Sequence, residues 1–434
     1  MKSIKKLFLL LVIVGIISAA VLYFRDTKPP QVSLTPGSGP VSKKSKLLLA
    51  LNDEGTGLKH LEVNVIQGKN HLSLIKRDFP AQTGVADLEL DLSSLKLQEG
   101  TLQIEILVTD QSIYHLGKGN SNEEAYSLTY DTRPPVISIL SKAHNFTKGG
   151  SGLVTFNLNE DVETAGIQFG EHFFPAYQQD TGAYACLFAY PYDAKESEFV
   201  PRIVAVDLAG NERQAGIYYR ANNKKFRQRK INISKGFLAQ KTPEFEALVP
   251  DISDPLEIFL HVNREIREQN RNKLAELGQR TSATPLWDGA FMRQPKAATL
   301  AHFADYRTYY HEGKVIDKTV HWGHDLASVA QAEIIAENSG EVVWTEYLGI
   351  YGQCVVIDHG IGLQSLYAHM SQVNVQEGDM VTKGQVIGRS GATGMAGGDH
   401  LHLGIIVSGV PVQPIEWWDK KWLYNNIDSK LENN

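Results

Sequence analysis

The chain contains 434 residues, and at about 150 residues per domain this length favours roughly three domains over one small module. Lys and Arg number 43 against 49 Asp and Glu, so a net charge of −6 provides no strong basic field for nucleic-acid binding. The two cysteines, Cys186 and Cys354, are too few for a disulfide framework or a cysteine-based metal site.

An uncharged run of 18 residues occupies positions 7–24, behind Lys2, Lys5 and Lys6. As a helix this run would extend roughly 27 Å, close to the hydrocarbon thickness of a bilayer. The positive flank keeps the amino-terminal end in the cytoplasm. We therefore predict a transmembrane helix within a membrane-anchor or signal segment, residues 1–27. The protein is expected in the inner (cytoplasmic) membrane, single-pass, with the bulk of the chain in the periplasm or outside the membrane.

A cleaved signal peptide is the alternative interpretation of this segment. Ser18, Ala19 and Ala20 supply the small residues that signal peptidase requires. In either case the chain from residue 28 onward is exported, which disfavours cytosolic and nucleotide-dependent activities.

Two similar segments follow the predicted anchor. Each begins with a Pro-Pro pair, at positions 29–30 and 134–135, and each closes with a strand that ends in an aspartate, Asp110 or Asp207. Between these ends lie short alternating segments such as HLEVNV and LVTFNL, separated by Gly, Asn and Asp turns. This pattern predicts two β-sandwich modules, residues 28–131 and 132–240. The DLAGN ending of the second copy resembles bacterial immunoglobulin-like extracellular modules.

These modules are interpreted as spacers or as platforms that bind an envelope protein partner. The aromatic stretch between Phe173 and Tyr192 forms core or faces carbohydrate or a partner. The basic run at 224–230, KKFRQRK, either contacts anionic lipid or wall polymer or is a solvated strand edge or linker.

A helix is predicted over residues 255–277, within a linker of residues 241–283. Asp254 can cap it, Pro255 suits the first helical position, and Glu257 lies three residues after the cap. Gly278 suits a left-handed turn at its end. The broken apolar stripe on this amphipathic helix packs on a domain, or the helix gates an active site.

Ligand-like residues recur in three short segments of the last 150 residues. HWGHD carries His321 and Asp325 at an even spacing, and LYAHM contains His369. GDHLHLG carries His400 and His402, which lie two residues apart and therefore share one face of a strand. Imidazole nitrogens and a carboxylate suit Zn²⁺, which at a catalytic site takes three protein ligands and a water. The five candidate groups exceed that number by two.

These segments resemble the lysostaphin-type (LytM-like) zinc metalloendopeptidases, which cleave peptidoglycan cross-bridges. The resemblance covers roughly residues 287–422 and includes the H-x-G-x-D, Tyr-x-His and H-x-H elements. It implies that His321, Asp325 and His402 bind zinc, whereas His369 and His400 act on the bound water and the substrate carbonyl. It also implies a C-terminal antiparallel β domain of the duplicated-hybrid-motif type at residues 284–434, in a chain that is mainly β.

The prediction is thus a membrane-tethered zinc endopeptidase acting on peptidoglycan peptide stems in cell-wall remodelling, with no nucleic-acid partner. The alternative is a catalytically silent metal-binding envelope protein that regulates another cell-wall hydrolase. All five positions are intact, which argues against that alternative. His324 and His359 are interpreted as structural or surface histidines. A D-alanyl link to a diamino acid, a glycine bridge or another short peptide all remain open as the bond that is cleaved.

Overall fold

The computed structural model describes residues 2–432 and is mainly β, as predicted. Met1 and the last two residues, at the ends of the predicted segments 1–27 and 284–434, lie outside the described residues, as do the side chains of Lys2 and Ser3. The chain divides into two compact units. The first contains residues 1–135, 160–163 and 206–213, and the second contains residues 136–159, 164–205 and 214–434.

The amino-terminal helix runs over Lys2–Tyr23. Its segment Ile4–Tyr23 has a mean hydropathy of 2.5, and among the described residues it is the one helix long and apolar enough to cross a membrane. Its apolar side chains are exposed, as a bilayer-spanning helix requires. Retention or cleavage of this helix stays a prediction.

The first unit contains two sheets that share one apolar core. The three-stranded sheet consists, in order, of Gln31–Thr35, Leu47–Asn52 and Val85–Leu90. The five-stranded sheet consists, in order, of Gly39–Val41, Ser121–Tyr130, Gly100–Asp110, Leu58–Gln67 and Asn70–Asp78. Burial alternates along Leu47–Asn52 and Gly100–Asp110, because successive side chains of a strand point to opposite faces. The immunoglobulin-like strand order stays a prediction.

The internal repeat is visible in the hydrogen bonds of its two closing aspartates. Asp110 accepts the backbone N–H of Asn120 and also its side-chain N–H, at 2.7 and 2.6 Å. Asp207 accepts the same two kinds of bond from Asn211, at 2.8 and 3.0 Å. The two buried carboxylates therefore hold equivalent turns.

The second copy contributes two four-stranded sheets and one parallel pair. One sheet has the order Tyr177–Gln178, Tyr184–Ala189, Ser151–Leu158, Ile137–Ile139. The other has the order His172–Pro175, Val162–Phe169, Arg202–Asp207, Glu212–Gly216, and His144–Thr147 pairs with Tyr219–Asn222. Phe174, Phe188 and Tyr190 are fully or almost fully buried, so most of the aromatic stretch is core.

Two helices connect this part to the C-terminal region. The first, Lys235–Phe245, was not predicted, and it contains Pro243. The second covers 255–277 as α-helix Pro255–His261, π-helix Val262–Ile266 and α-helix Arg267–Leu277. Asp254 caps it by accepting the N–H groups of Leu256 and Glu257, as expected.

The left-handed turn expected at Gly278 is not present. Gly278 has a φ of −59°, in the right-handed region. A Cβ there would collide with the backbone of Ser408 and Gly409, so this position requires glycine for a close approach of two chain segments.

The helix at 255–277 packs its apolar stripe onto the C-terminal sheet. Ile258, Val262, Leu274 and Leu277 are buried there with residues from several strands. Those sheet residues are Val343, Cys354, Val356, Leu366, Ala368 and Ile406. The helix therefore completes a hydrophobic core.

The C-terminal region is built on an antiparallel sheet of eight strands. Seven strands follow the order Ala298–Ala301, His324–Ala327, Leu401–Val407, Leu363–Met370, Gln353–Gly360, Gly340–Trp344, Met380–Val381. The eighth strand, Val410–Val412, pairs with Leu401–Val407. Two three-stranded sheets accompany it. One has the order Glu333–Ile335, Val386–Arg389, Gln372–Val373. The other has the order Gln228–Asn232, Tyr306–His311, Lys314–Val320. The chain ends with helices Pro414–Trp418, Lys420–Leu423, Tyr424–Asp428 and Ser429–Glu432.

Candidate metal centre and cleft

Three of the predicted site residues bring their donor atoms together. Nε2 of His321 lies 2.9 Å from Oδ1 of Asp325 and 2.9 Å from Nδ1 of His402, and the last two atoms are 3.0 Å apart. Asp325 and His402 face each other in register on adjacent antiparallel strands. Zinc takes such ligands at about 2.0–2.2 Å, which in a tetrahedral arrangement separates them by roughly 3 to 3.5 Å. The donor set therefore fits one zinc ion.

A hydrogen bond to the outer nitrogen of His321 orients this ligand. Nδ1 of His321 bonds to the carbonyl oxygen of His302 at 2.9 Å, which leaves Nε2 of His321 as the donor to a metal. Burial is the largest cause that lowers the pKa of His402, to about 4. His402 is therefore neutral at pH 7, the form in which imidazole binds metals.

The second oxygen of Asp325 contacts an arginine that no sequence motif marked. Nη2 of Arg307, in strand Tyr306–His311, lies 3.0 Å from Oδ2 of Asp325. Burial alone would raise the pKa of Asp325, but the surrounding His321, His400 and His402 hold it well below its usual value. Asp325 is therefore an ionised carboxylate with one oxygen in the ligand group and the other on Arg307.

His369 and His400 lie beside the ligand group. Their ring centroids are 4.8 Å apart, and Nε2 of His400 is 3.6 Å from Oδ1 of Asp325. Nδ1 of His369 bonds to the carbonyl of Thr393, and Nδ1 of His400 bonds to the carbonyl of Gly398, each at 2.8 Å. Nε2 of His369 is thus left for another partner, whereas Nε2 of His400 faces the Asp325 carboxylate.

The surroundings shift the pKa values of these two histidines in opposite directions. Burial, followed by the neighbouring His400 and His402, lowers the pKa of His369 well below its usual value. Burial also opposes the charge on His400, but the nearby Asp325 carboxylate raises the pKa of His400 overall. Such a pair suits one proton acceptor and one proton donor.

The other two histidines near the motifs lie outside the ligand group, as expected. His359 is buried and bonds to the carbonyl of Ser339 and the hydroxyl of Ser365, each at 2.7 Å. Nδ1 of His324 accepts the N–H of Phe303 at 3.3 Å. Both imidazoles hold the backbone or core in place.

The ligand group opens into a cleft of about 350 Å³ in the second unit. Phe237 and Phe259 from the connecting helices line it, together with Tyr309 and Met395. Residues Arg229, Arg267 and Arg307 line it as well. The cleft is therefore apolar and cationic, and much of its wall comes from segments outside the sequence motifs.

Comparison with known proteins identifies the C-terminal region. Residues 319–414 match the model of peptidase family M23. The C-terminus of this chain carries a peptidase M23 domain, and the predicted resemblance to that group is confirmed.

Two relatives and one solved structure illustrate the similarity. Peptidoglycan DD-endopeptidase ShyA of Vibrio cholerae is 38% identical over 96 residues, 22% of each chain. Stage II sporulation protein Q of Bacillus subtilis is 34% identical over 122 residues, 28% of this chain and 41% of that protein. The lysostaphin catalytic domain of Staphylococcus simulans is 26% identical, with 28% of this chain and 92% of that chain covered at a TM-score of 0.25. The chain thus spans about a fifth of the length of the first curated relatives it matches.

Proposed function

We propose that this protein is a zinc-dependent endopeptidase that hydrolyses peptide cross-links of bacterial peptidoglycan. The observation that carries the proposal is the convergence of three donor atoms within 3.0 Å at the base of a cleft, with two further histidines beside them. The M23 match and the name of the ShyA relative support a peptidase of the cell wall.

His321, Asp325 and His402 would hold the zinc ion. When bound, zinc supplies a Lewis acid and a water molecule of lowered pKa. Arg307 holds the second oxygen of Asp325, which fixes the orientation of that carboxylate. The carbonyl of His302 fixes the ring of His321 in the same way.

His369 and His400 carry out the proton transfers. Each has its Nδ1 fixed on a backbone carbonyl, so its Nε2 can accept or donate a proton without rotation of the ring. The low pKa of His369 keeps its ring neutral, so that Nε2 has a lone pair available for a proton from the attacking water, and the raised pKa of His400 favours the protonated ring, which can donate to the leaving amine. No glutamate base is required.

The amino-terminal helix would hold the enzyme in the inner membrane, with the chain from residue 28 onward on the outer side. Its length and hydropathy support this placement, and the lysines on its amino-terminal side support the orientation. Residues 28–240 then act as a spacer or as a surface for an envelope protein partner.

A digest of purified peptidoglycan tests this function. The detergent-solubilised full chain, loaded with zinc, is incubated with sacculi and the products are analysed by mass spectrometry. We expect cross-linked peptide dimers to be converted to monomers by addition of one water. The His400→Ala variant, which keeps the three ligands, is the control for metal bound without turnover. If the wild-type protein binds zinc and leaves every cross-link intact, the silent regulatory protein is the correct interpretation.

A further inference from the structure

The basic run at 224–230 enters the cleft through one strand. Gln228–Asn232 pairs in parallel with Tyr306–His311, and Arg229 is the register partner of Arg307. Alternate residues of a strand share a face, and Arg229 and Ile231 line the cleft together with Arg307 and Tyr309. This small sheet therefore presents two adjacent arginines to the cleft.

A third arginine enters from the helix at 255–277. Arg267 lines the cleft, and its guanidinium donates to the carbonyl oxygen and the side-chain oxygen of Asn263, at 3.1 and 2.6 Å. Both acceptors are uncharged. Burial lowers the pKa of Arg267, which is the expected sign for a guanidinium without an adjacent carboxylate.

The charges of the cleft do not balance. Among the described residues that line it, Asp325 is the one carboxylate, and it belongs to the ligand group. Arg307 bonds to Asp325, whereas no carboxylate in residues 2–432 forms an ion pair with Arg229 or Arg267. Arg267 is partly buried, whereas Arg229 is exposed at the rim of the cleft. A partly buried guanidinium is stabilised by an anion, and the planar fork of either arginine matches a carboxylate.

We propose that Arg229, Arg267 and Arg307 form a subsite for a substrate carboxylate next to the scissile bond. This proposal rests on the proposed function and names the substrate class. In a D-alanyl link to a diaminodicarboxylic acid, the carbon that bears the scissile nitrogen also bears a free carboxylate. The corresponding carbon in a glycine bridge leads to another amide. The subsite thus selects the first kind of cross-link against the second.

Two synthetic cross-linked dimers test the subsite. They are identical except that the carboxylate beside the scissile nitrogen is free in one and a carboxamide in the other. With the zinc-loaded full chain, kcat/KM is expected to be about 10- to 100-fold higher for the free acid, the scale of a charged hydrogen bond. Arg229→Gln and Arg267→Gln should reduce that ratio towards one, chiefly through KM. Equal rates on both dimers with the wild-type chain would overturn the subsite and leave the proposed function intact.

A matched control and a readout without zinc separate the two proposals. Lys230 follows Arg229 in the strand and lies on its opposite face, with Nζ over the ring of Tyr310. Lys230→Gln removes the same charge as Arg229→Gln and should keep the preference for the free-acid dimer. By calorimetry, the monomeric peptide with the free carboxylate should bind the zinc-free full chain more tightly than the same peptide with a carboxamide, and Arg229→Gln should reduce the difference. Cleavage of neither dimer would contradict the proposed function. Equal binding of acid and amide would contradict the subsite.

Discussion

Gly323 lies directly against the imidazole of His402. A Cβ atom on Gly323 would come within 2.7 Å of Nε2 and 2.8 Å of Cε1 of that ring, and it would also collide with the carbonyl of Leu403. The middle glycine of His-Trp-Gly-His-Asp is thus required by a close approach to the third ligand on another strand.

Gly323→Ala should therefore displace His402 and weaken zinc binding. Changes beside a ligand commonly cost about 10- to 100-fold in metal affinity, and we expect a loss on that scale. Competition with a chromophoric chelator measures it. Gly398→Ala is the matched control, because a Cβ at Gly398 meets no atom within 4 Å. Wild-type affinity in Gly323→Ala would contradict the assigned contact.

The two groups of histidines should separate in mutants. His402→Ala should lose the metal, because Nδ1 of His402 is one of the three converging donors. His369→Ala and His400→Ala should keep about one zinc per chain and lose roughly 10²- to 10⁴-fold in rate, the scale of general acid–base catalysis. Elemental analysis and initial rates measure both quantities. Near-normal rates in both His369→Ala and His400→Ala would exclude them from proton transfer.

Glu416 should make the stability of the protein depend on pH. Burial raises its pKa from 4.5 to about 7, although its carboxylate accepts the N–H of Ser151. The folded state therefore favours the protonated form, and the stabilisation is complete below pH 4.5 and lost as pH rises through 7. The shift corresponds to roughly 3 kcal/mol.

Glu416→Gln should remove that dependence. Urea unfolding at pH 5 and pH 8 should show a smaller decrease in midpoint for this variant than for the wild type. Glu171→Gln, at an exposed position, should behave like the wild type. An unchanged difference between the two pH values in Glu416→Gln would show that Glu416 is not responsible.

Removal of the connecting helices should disable the catalytic region. Leu274 and Leu277 are 1% and 0% exposed, and Phe259 and Arg267 line the cleft from the same helix. A fragment from Thr284 onward would expose that core and open the cleft. We expect it to unfold at lower denaturant than the full chain and to digest peptidoglycan more slowly. A stable fragment with faster digestion would instead support gating by this helix.

The ligand group could be predicted because its chemistry is local. His321 and Asp325 lie four residues apart and His400 and His402 two apart, so short motifs carried the signal. Arg229 and Arg307 escaped prediction because they meet only through the pairing of strands that are 78 residues apart. No local pattern encodes such a pairing.

The helix Lys235–Phe245 and the conformation of Gly278 were missed for related reasons. Pro243 within that helix and its weak apolar periodicity disfavour a helix prediction, and tertiary contacts of Phe245 and Leu238 stabilise it. The position of Gly278 at the end of a helix favoured a left-handed cap, but the nearby Gly409 decides its role through space. Both cases depend on packing between distant segments.

A zinc titration of the metal-free full chain on a defined cross-linked dimer with a free carboxylate tests the central claim most directly. The measured quantity is the initial rate of dimer cleavage against zinc bound per chain. Cleavage should rise in proportion to bound zinc and reach its plateau at about one equivalent, because His321, Asp325 and His402 form a single site. A chain that binds one equivalent of zinc through these residues and cleaves no dimer would contradict the account.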